Sequence, residues 1–139
     1  MNPQHPSHRP TRAAAMVGIT IVLSGLTAAA ATPTELLDGY RNSSGTAPAP
    51  GRGQKLFTTL QGREWSCASC HGVVPTQAGK HAATGKPIAA MAPAFNPERF
   101  TDSAKTEKWF RRNCNDVIGR ECTATEKADV LAWLMTLKP

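Results

Sequence analysis

Three features of the sequence predict an all-α fold of three to four short helices joined by long loops. Apolar residues recur at helical spacing in separated segments, and no alternating strand pattern competes with them. The stretch from His71 to Pro97 is punctuated by Gly72, Pro75, Gly79, Gly85, Pro87, Pro93 and Pro97, which reads as loop. Just before it, Cys67-Ala68-Ser69-Cys70-His71 gathers two thiols and an imidazole on a turn of helix.

The 139-residue chain is sized for one small domain once a targeting segment is set aside. Residues 1–31 read as that segment: a start carrying Arg9 and Arg12, an apolar run from Ala13 to Leu26, and Ala28 to Ala31 as small-residue cleavage sites. Gly18, Thr20, Ser24, Gly25 and Thr27 interrupt the run, which favours a cleaved secretory signal over a membrane anchor. Residues 32–51 then form a flexible N-terminal arm, with a short helix at Glu35–Tyr40 followed by Asn42-Ser43-Ser44-Gly45 and Ala47-Pro48-Ala49-Pro50-Gly51.

The compact domain spans 52–139. Its first helix carries Leu56, Phe57 and Leu60 and runs up to Trp65. The long loop after His71 has a plain task, which is to wrap a flat prosthetic group. A second helix starts at Thr101 or Asp102 and runs through Trp109 and Phe110 to about Asn113, with Arg111 and Arg112 in its last turn, where they complement the macrodipole. The last helix is signalled by the capping box Thr123-Ala124-Thr125-Glu126 and by the stripe Ala128, Leu131, Leu134 and Met135.

Losing residues 1–31 lowers the formal charge from +6 to +4, because Arg9 and Arg12 leave and no acidic residue precedes Glu35. The mature chain is mildly basic, with scattered cations and no arginine-rich arm or aromatic stacking motif, which argues against nucleic acid and for an acidic redox partner protein. Export to the periplasm also means an oxidising compartment, where four cysteines serve as disulfides, metal ligands or cofactor anchors.

C-x-x-C-H is the attachment motif of haem c. Thiols three residues apart can each add to one vinyl group of a haem, and the adjacent His71 then donates its imidazole to the iron as proximal ligand. One haem per chain, covalently attached through Cys67 and Cys70, is therefore expected. A thioredoxin-like redox pair would need a βαβ context, which is missing. A zinc site would need a second close ligand pair, whereas Cys114 and Cys122 are separated by seven residues. A Cys67–Cys70 disulfide is disfavoured in regular helix and leaves His71 unexplained.

The ending Ala128-Asp129-Val130-Leu131-Ala132-Trp133-Leu134-Met135-Thr136-Leu137 resembles the terminal helix of class I cytochromes c, with Gly53 and Phe57 matching its partner helix. The resemblance implies a close crossing of first and last helices, placed at Gly53 against Trp133. A closer resemblance covers Gly53 to Leu137. Asn96-Pro97-Glu98-Arg99-Phe100-Thr101-Asp102, Lys108-Trp109-Phe110-Arg111-Arg112-Asn113-Cys114 and Gly119-Arg120-Glu121-Cys122-Thr123 are similar to the sphaeroides haem protein family. That family implies an asparagine as labile sixth iron ligand, here Asn113, beside a disulfide between Cys114 and Cys122. It also implies small diatomic gases as ligands, and a dihaem cytochrome c and a membrane cytochrome b as redox partners. An unstrained bridge of that loop length would contribute about 2 to 3 kcal/mol.

Alternatives stay open beside this. Met91, in Met91-Ala92-Pro93, resembles the ligand loop of ordinary His/Met electron carriers, and otherwise it is a flexible filler at a haem edge. His81, on an exposed loop, reads as an ordinary surface histidine. Asn113 could simply end its helix. Trp65, Trp109 and Phe110 read as haem-pocket packing. The functional expectation is one-electron transfer with an iron position that opens on reduction to bind oxygen or nitric oxide. An enzyme reducing the bound gas is weakly supported, since the sequence places no histidine or carboxylate on the distal side and offers only Asp116 and Glu121 as candidate acids; no catalytic residue is assigned.

Overall fold

The computed structural model describes Met1 and residues 30–139, so the secretory signal expected at 1–31 lies almost wholly outside the described residues. The described chain forms α1 (Pro33–Ser44), α2 (Pro50–Thr58), α3 (Cys67–His71), β1 (Gly79–Lys80), β2 (Pro87–Ile88), α4 (Ser103–Val117) and α5 (Ala124–Thr136). The two strands are a minimal antiparallel ladder pairing Gly79 with Ile88 and Lys80 with Pro87. The fold is thus all-α in character; α1 is a longer form of the short helix read at Glu35–Tyr40, and α3 is the helical turn expected at Cys67–His71.

Helix α5 is the hub. Its N-cap Thr123 accepts from the Glu126 N–H while the Glu126 side chain accepts from the Thr123 N–H, as the capping box predicted. Ala128, Val130, Leu131, Trp133 and Leu134 are all buried on it, because both α1 and α2 pack against it. Helix α2 crosses it at Gly53, where a Cβ would overlap the Asp129 carbonyl and come within 2.6 Å of the Val130 nitrogen. The close approach therefore falls on the Asp129–Val130 backbone and not on Trp133. Trp133 packs one turn further along, with its ring centroid 5.0 Å from that of Phe57.

Asp129 explains how α2 begins. Its N-cap, Ala49, offers no side-chain cap, and the Asp129 carboxylate takes that place by accepting from the Ala49 N–H at 2.6 Å. The same carboxylate accepts a fork from Arg52, with Nε at 2.7 Å and Nη2 at 2.9 Å. Asp129 is only 3% exposed, and these three donors satisfy it. The helix stops at Thr58, short of the Trp65 expected, because Thr59 turns to extended backbone.

The arm expected to be flexible is instead ordered from Pro33 to Ser44. Thr32 and Glu35 form a capping box, Pro33 occupies the first turn, and Gly45 closes the end in the left-handed region at φ 63°. Tyr40 is buried in the core, with Leu36 and Leu37 packed against it. The hydroxyl of Tyr40 donates to Glu107 of α4 at 2.6 Å, and Lys127 of α5 donates to the other carboxylate oxygen, also at 2.6 Å. This bridge ties α1, α4 and α5 together.

Partial burial pushes the Glu107 pKa up, but the Lys127 and Tyr40 hydrogen bonds outweigh it and hold the carboxyl below its ordinary value of 4.5. A depressed folded value means stability that is present above the ordinary value and lost as pH falls through the lowered one. Glu107→Gln is expected to cost about 1 to 2 kcal/mol at neutral pH. In chemical denaturation the gap between native and variant should close as the solution is acidified below that range; a gap that persists there contradicts the assignment.

Asp102 caps α4 by accepting from the Lys105 N–H at 2.9 Å. The helix does not end at Asn113 but continues to Val117, where Gly119 at φ 85° takes the chain out and donates to the Cys114 and Asn115 carbonyls. Arg111 and Arg112 consequently lie in mid-helix, and Asn113 is not a helix-end residue.

Candidate functional site

The site is built on α3. Ser66, buried, starts it in a capping box with Ser69, whose hydroxyl accepts from the Ser66 N–H at 3.0 Å. Cys67, Cys70 and His71 follow at helical positions i, i+3 and i+4, which share one face. Both thiols are free, while Cys114 and Cys122 are joined in a disulfide with Cα atoms 5.6 Å apart. Burial is the largest influence on Cys67 and pushes its thiol up to about 11. Burial, then the charge of Arg99 and the neighbouring His81, lower His71 to about 4, so its imidazole is neutral at physiological pH and has a lone pair to give.

Apolar groups of the core lie beside this turn. The His71 ring lies 6.0 Å from that of Phe57, centroid to centroid. Cys67, Ala68 and Leu56 pack against the core cluster, as do Met91 from the long loop and Phe110 from α4. Val73, Val74 and Trp109 present large apolar surface outward, Trp109 being 43% exposed with the Arg112 guanidinium 5.6 Å from its ring centroid. Two free thiols, a neutral imidazole and a mixed aliphatic and aromatic wall fit a covalently held haem. Among the described residues no group of three or more His, Cys, Asp or Glu side chains could hold a bare metal ion.

The long loop braces the motif through contacts invisible in sequence. Gly79 passes so close to α3 that a Cβ would overlap the Cys70 carbonyl and sit 3.0 Å from the His71 Cα. The Ala82 N–H donates to the Cys70 sulfur at 3.2 Å. Pro75, fully buried, accepts through its carbonyl from Met91 N–H at 3.0 Å and Ala92 N–H at 3.1 Å. His81 turns back on its own loop, its Nδ1 accepting from the Thr84 N–H at 3.3 Å. Gly79→Ala is expected to displace the hairpin from the motif and lower stability by about 1 to 3 kcal/mol, since the obstacle is backbone. Thermal unfolding checks this; an unchanged midpoint contradicts it.

The two sixth-ligand candidates occupy different settings. Met91 is partly buried in the wall, its backbone tied to Pro75. Asn113 lies one helical turn after Phe110 on α4, immediately before the bridged Cys114. Among the described residues its side-chain amide has no hydrogen-bond partner, whereas the nearby Asn115 amide donates to the Arg111 carbonyl at 2.7 Å. Asp116 is on the same helix and Glu121 in the disulfide loop, both exposed.

An all-helical domain wrapped around a C-x-x-C-H turn defines the class: a c-type cytochrome with one covalently attached haem. Within that class, residues 43–134 match a domain family described as a domain of unknown function, DUF1924. The cytochrome c-type protein SHP of Cereibacter sphaeroides is 49% identical over 121 residues, covering 84% of this chain and 93% of that protein. The structure of oxidized SHP, described as an oxygen binding cytochrome c, aligns with a TM-score of 0.72 at 48% identity over 76% of this chain and 97% of that one. Cytochrome c'' of Methylophilus methylotrophus is 46% identical over 82 residues, 59% of this chain and 57% of that protein. Its oxidized crystal structure aligns with a TM-score of 0.67 at 38% identity, over 77% of this chain and 95% of that one. The chain belongs to the SHP family, the sphaeroides haem proteins.

Proposed function

We propose that the chain is a periplasmic one-electron cytochrome in which Asn113 closes the sixth iron position in the oxidised state and releases it on reduction, admitting a diatomic gas. Bound haem supplies the ferric/ferrous couple. Cys67 and Cys70 would hold it covalently, and the neutral His71 imidazole would be its proximal ligand. The observation that carries the reading is the Asn113 amide, without a protein partner, in mid-helix beside a disulfide that anchors its turn. Its neutral amide oxygen would be a weak ligand for the softer ferrous ion, so reduction would favour its release. Once released, the amide NH₂ can donate a hydrogen bond to an incoming oxygen or nitric oxide. The description of SHP as an oxygen binding cytochrome supports this.

Among the described residues no helix is long and apolar enough to cross a membrane. Electrons come from an acidic redox protein, expected from the family to be a dihaem cytochrome c or a membrane cytochrome b. Lys105, Lys108 and Arg112, exposed on one side of α4 around Trp109, offer it a basic face next to the Asn113 turn. The test of the gas reading is anaerobic titration of the dithionite-reduced protein with nitric oxide. A stoichiometric change of the absorption spectrum supports an accessible iron; a spectrum indifferent to excess gas contradicts it.

A further inference from the structure

Arg99 has a setting that the electron-transfer and gas-binding readings leave unexplained. Its guanidinium is half-buried, and burial lowers its pKa. It donates from Nε to the Ala90 carbonyl at 2.9 Å and from Nη2 to the Ala89 carbonyl at 2.8 Å. Among the described residues no carboxylate lies within ion-pairing distance of it, although Arg52 and Arg120 each have one. A guanidinium carries five N–H donors, so three remain for another acceptor. A partly desolvated cation compensated only by neutral carbonyls is costly, and an anion beside it removes much of that cost.

The backbone around Arg99 is held in an uncommon arrangement. Phe100 adopts φ 62°, the left-handed region that a bulky side chain rarely enters, at a cost of about 1 to 2 kcal/mol. Burial of its ring, 8% exposed in the core cluster, keeps it there. Asn96 reinforces the turn by donating from Nδ2 to the same Ala90 carbonyl at 3.1 Å. The strand of loop that Arg99 grips runs directly into Met91 and Ala92, which bond Pro75 at the exit of the C-x-x-C-H turn. The strained turn therefore delivers a fixed, anion-deficient fork to the margin of the haem site, and its positive field reaches His71.

We infer that Arg99 is a positioning residue for the cofactor: its free guanidinium donors bind one haem propionate, a carboxylate carried by the haem itself. The pair neutralises the propionate beside the iron and thereby keeps the reduction potential higher than an unpaired carboxylate would allow. This rests on the haem assignment proposed above for Cys67, Cys70 and His71. The loop-bracing hydrogen bonds to Ala89 and Ala90 are a separate duty of the same side chain, and the test must tell the two apart.

The experiment uses the full holoprotein with haem labelled with carbon-13 at its propionate carboxyls, in native form and as Arg99→Gln and Arg99→Lys. A pyridine spectrum of each denatured sample first reads covalent attachment, so that failure of the haem assignment is seen independently of Arg99. The isotope-edited infrared carboxylate band of the native protein should be displaced from that of the labelled haem peptide released by proteolysis, in which the propionates are solvated. Arg99→Gln should move a band toward the solvated position and lower the midpoint potential, whereas Arg99→Lys, which keeps the charge, should retain most of the native potential. A native band already at the solvated position overturns the inference without reference to any variant. So does a midpoint potential unchanged in Arg99→Gln, or one lowered equally in both variants, which would leave Arg99 as a brace of the loop alone.

Discussion

Cys67→Ala combined with Cys70→Ala is expected to abolish covalent haem retention. After acid–acetone extraction the native polypeptide should keep its haem absorbance and the double variant should have none. The expectation follows from the roles of four cysteines in two pairs: Cys114 and Cys122 are consumed in a disulfide, so the thiols on α3 alone remain to form thioether bonds. Loss of the attachment should also loosen the domain. The chain between α3 and α4 contains only one minimal hairpin of regular structure, and several of its anchors are to the motif turn itself, through Gly79 and Ala82. Each single variant should keep the haem on one thioether. Haem that survives extraction from the double variant contradicts the assignment.

Phe57→Ala is expected to produce the largest loss of stability among single core substitutions, about 3 to 5 kcal/mol. Phe57 is fully buried, and its ring neighbours both Trp133 of α5 and His71 of α3, at centroid distances of 5.0 Å and 6.0 Å. One side chain thus joins the helix crossing to the haem turn. The variant should unfold at lower denaturant and also show an altered haem spectrum, because the His71 ring loses the surface against which it rests. Phe57→Leu, which keeps much of the apolar volume, should cost less. Equal stability of Phe57→Ala and the native protein contradicts this description of the core.

The parts of the fold legible in sequence were those written in local chemistry. The capping box at Thr123 and Glu126 and the cap at Asp102 set helix starts that the structure reproduces. The glycine and proline punctuation after His71 corresponds to the long loop. The Ala-Pro repeat after Gly45 looks like linker and hides the extent of α1, whose order has a distant cause: Tyr40 reaches Glu107 and the core of α5. Asparagine is a common terminator, so the sequence suggests an end for α4 near Asn113, whereas Gly119 sets its true end.

Within the site, the motif residues were evident from spacing alone, but their supports were not. Nothing near Gly79 in the sequence says that it touches the backbone of Cys70, and the crossing at Gly53 was placed on the correct helices but one turn from its true contact, Asp129–Val130. In the sequence Arg99 is part of a family-like string, and its unpaired guanidinium and the strained Phe100 beside it are features of the tertiary structure alone. Long-range contacts of this kind depend on how loops return to a site, which local periodicity does not encode.

The most direct test of the central claim is the optical and electron paramagnetic resonance spectrum of the ferric and ferrous holoprotein, recorded for native, Asn113→Ala and Met91→Ala forms. The account predicts that Asn113→Ala alters the ferric spectrum and Met91→Ala leaves its ligand signature intact. It also predicts a five-coordinate native ferrous iron that binds nitric oxide at once. A low-spin methionine-type spectrum, indifferent to the gas and to Asn113→Ala but changed in Met91→Ala, would contradict it and leave an ordinary His/Met electron carrier.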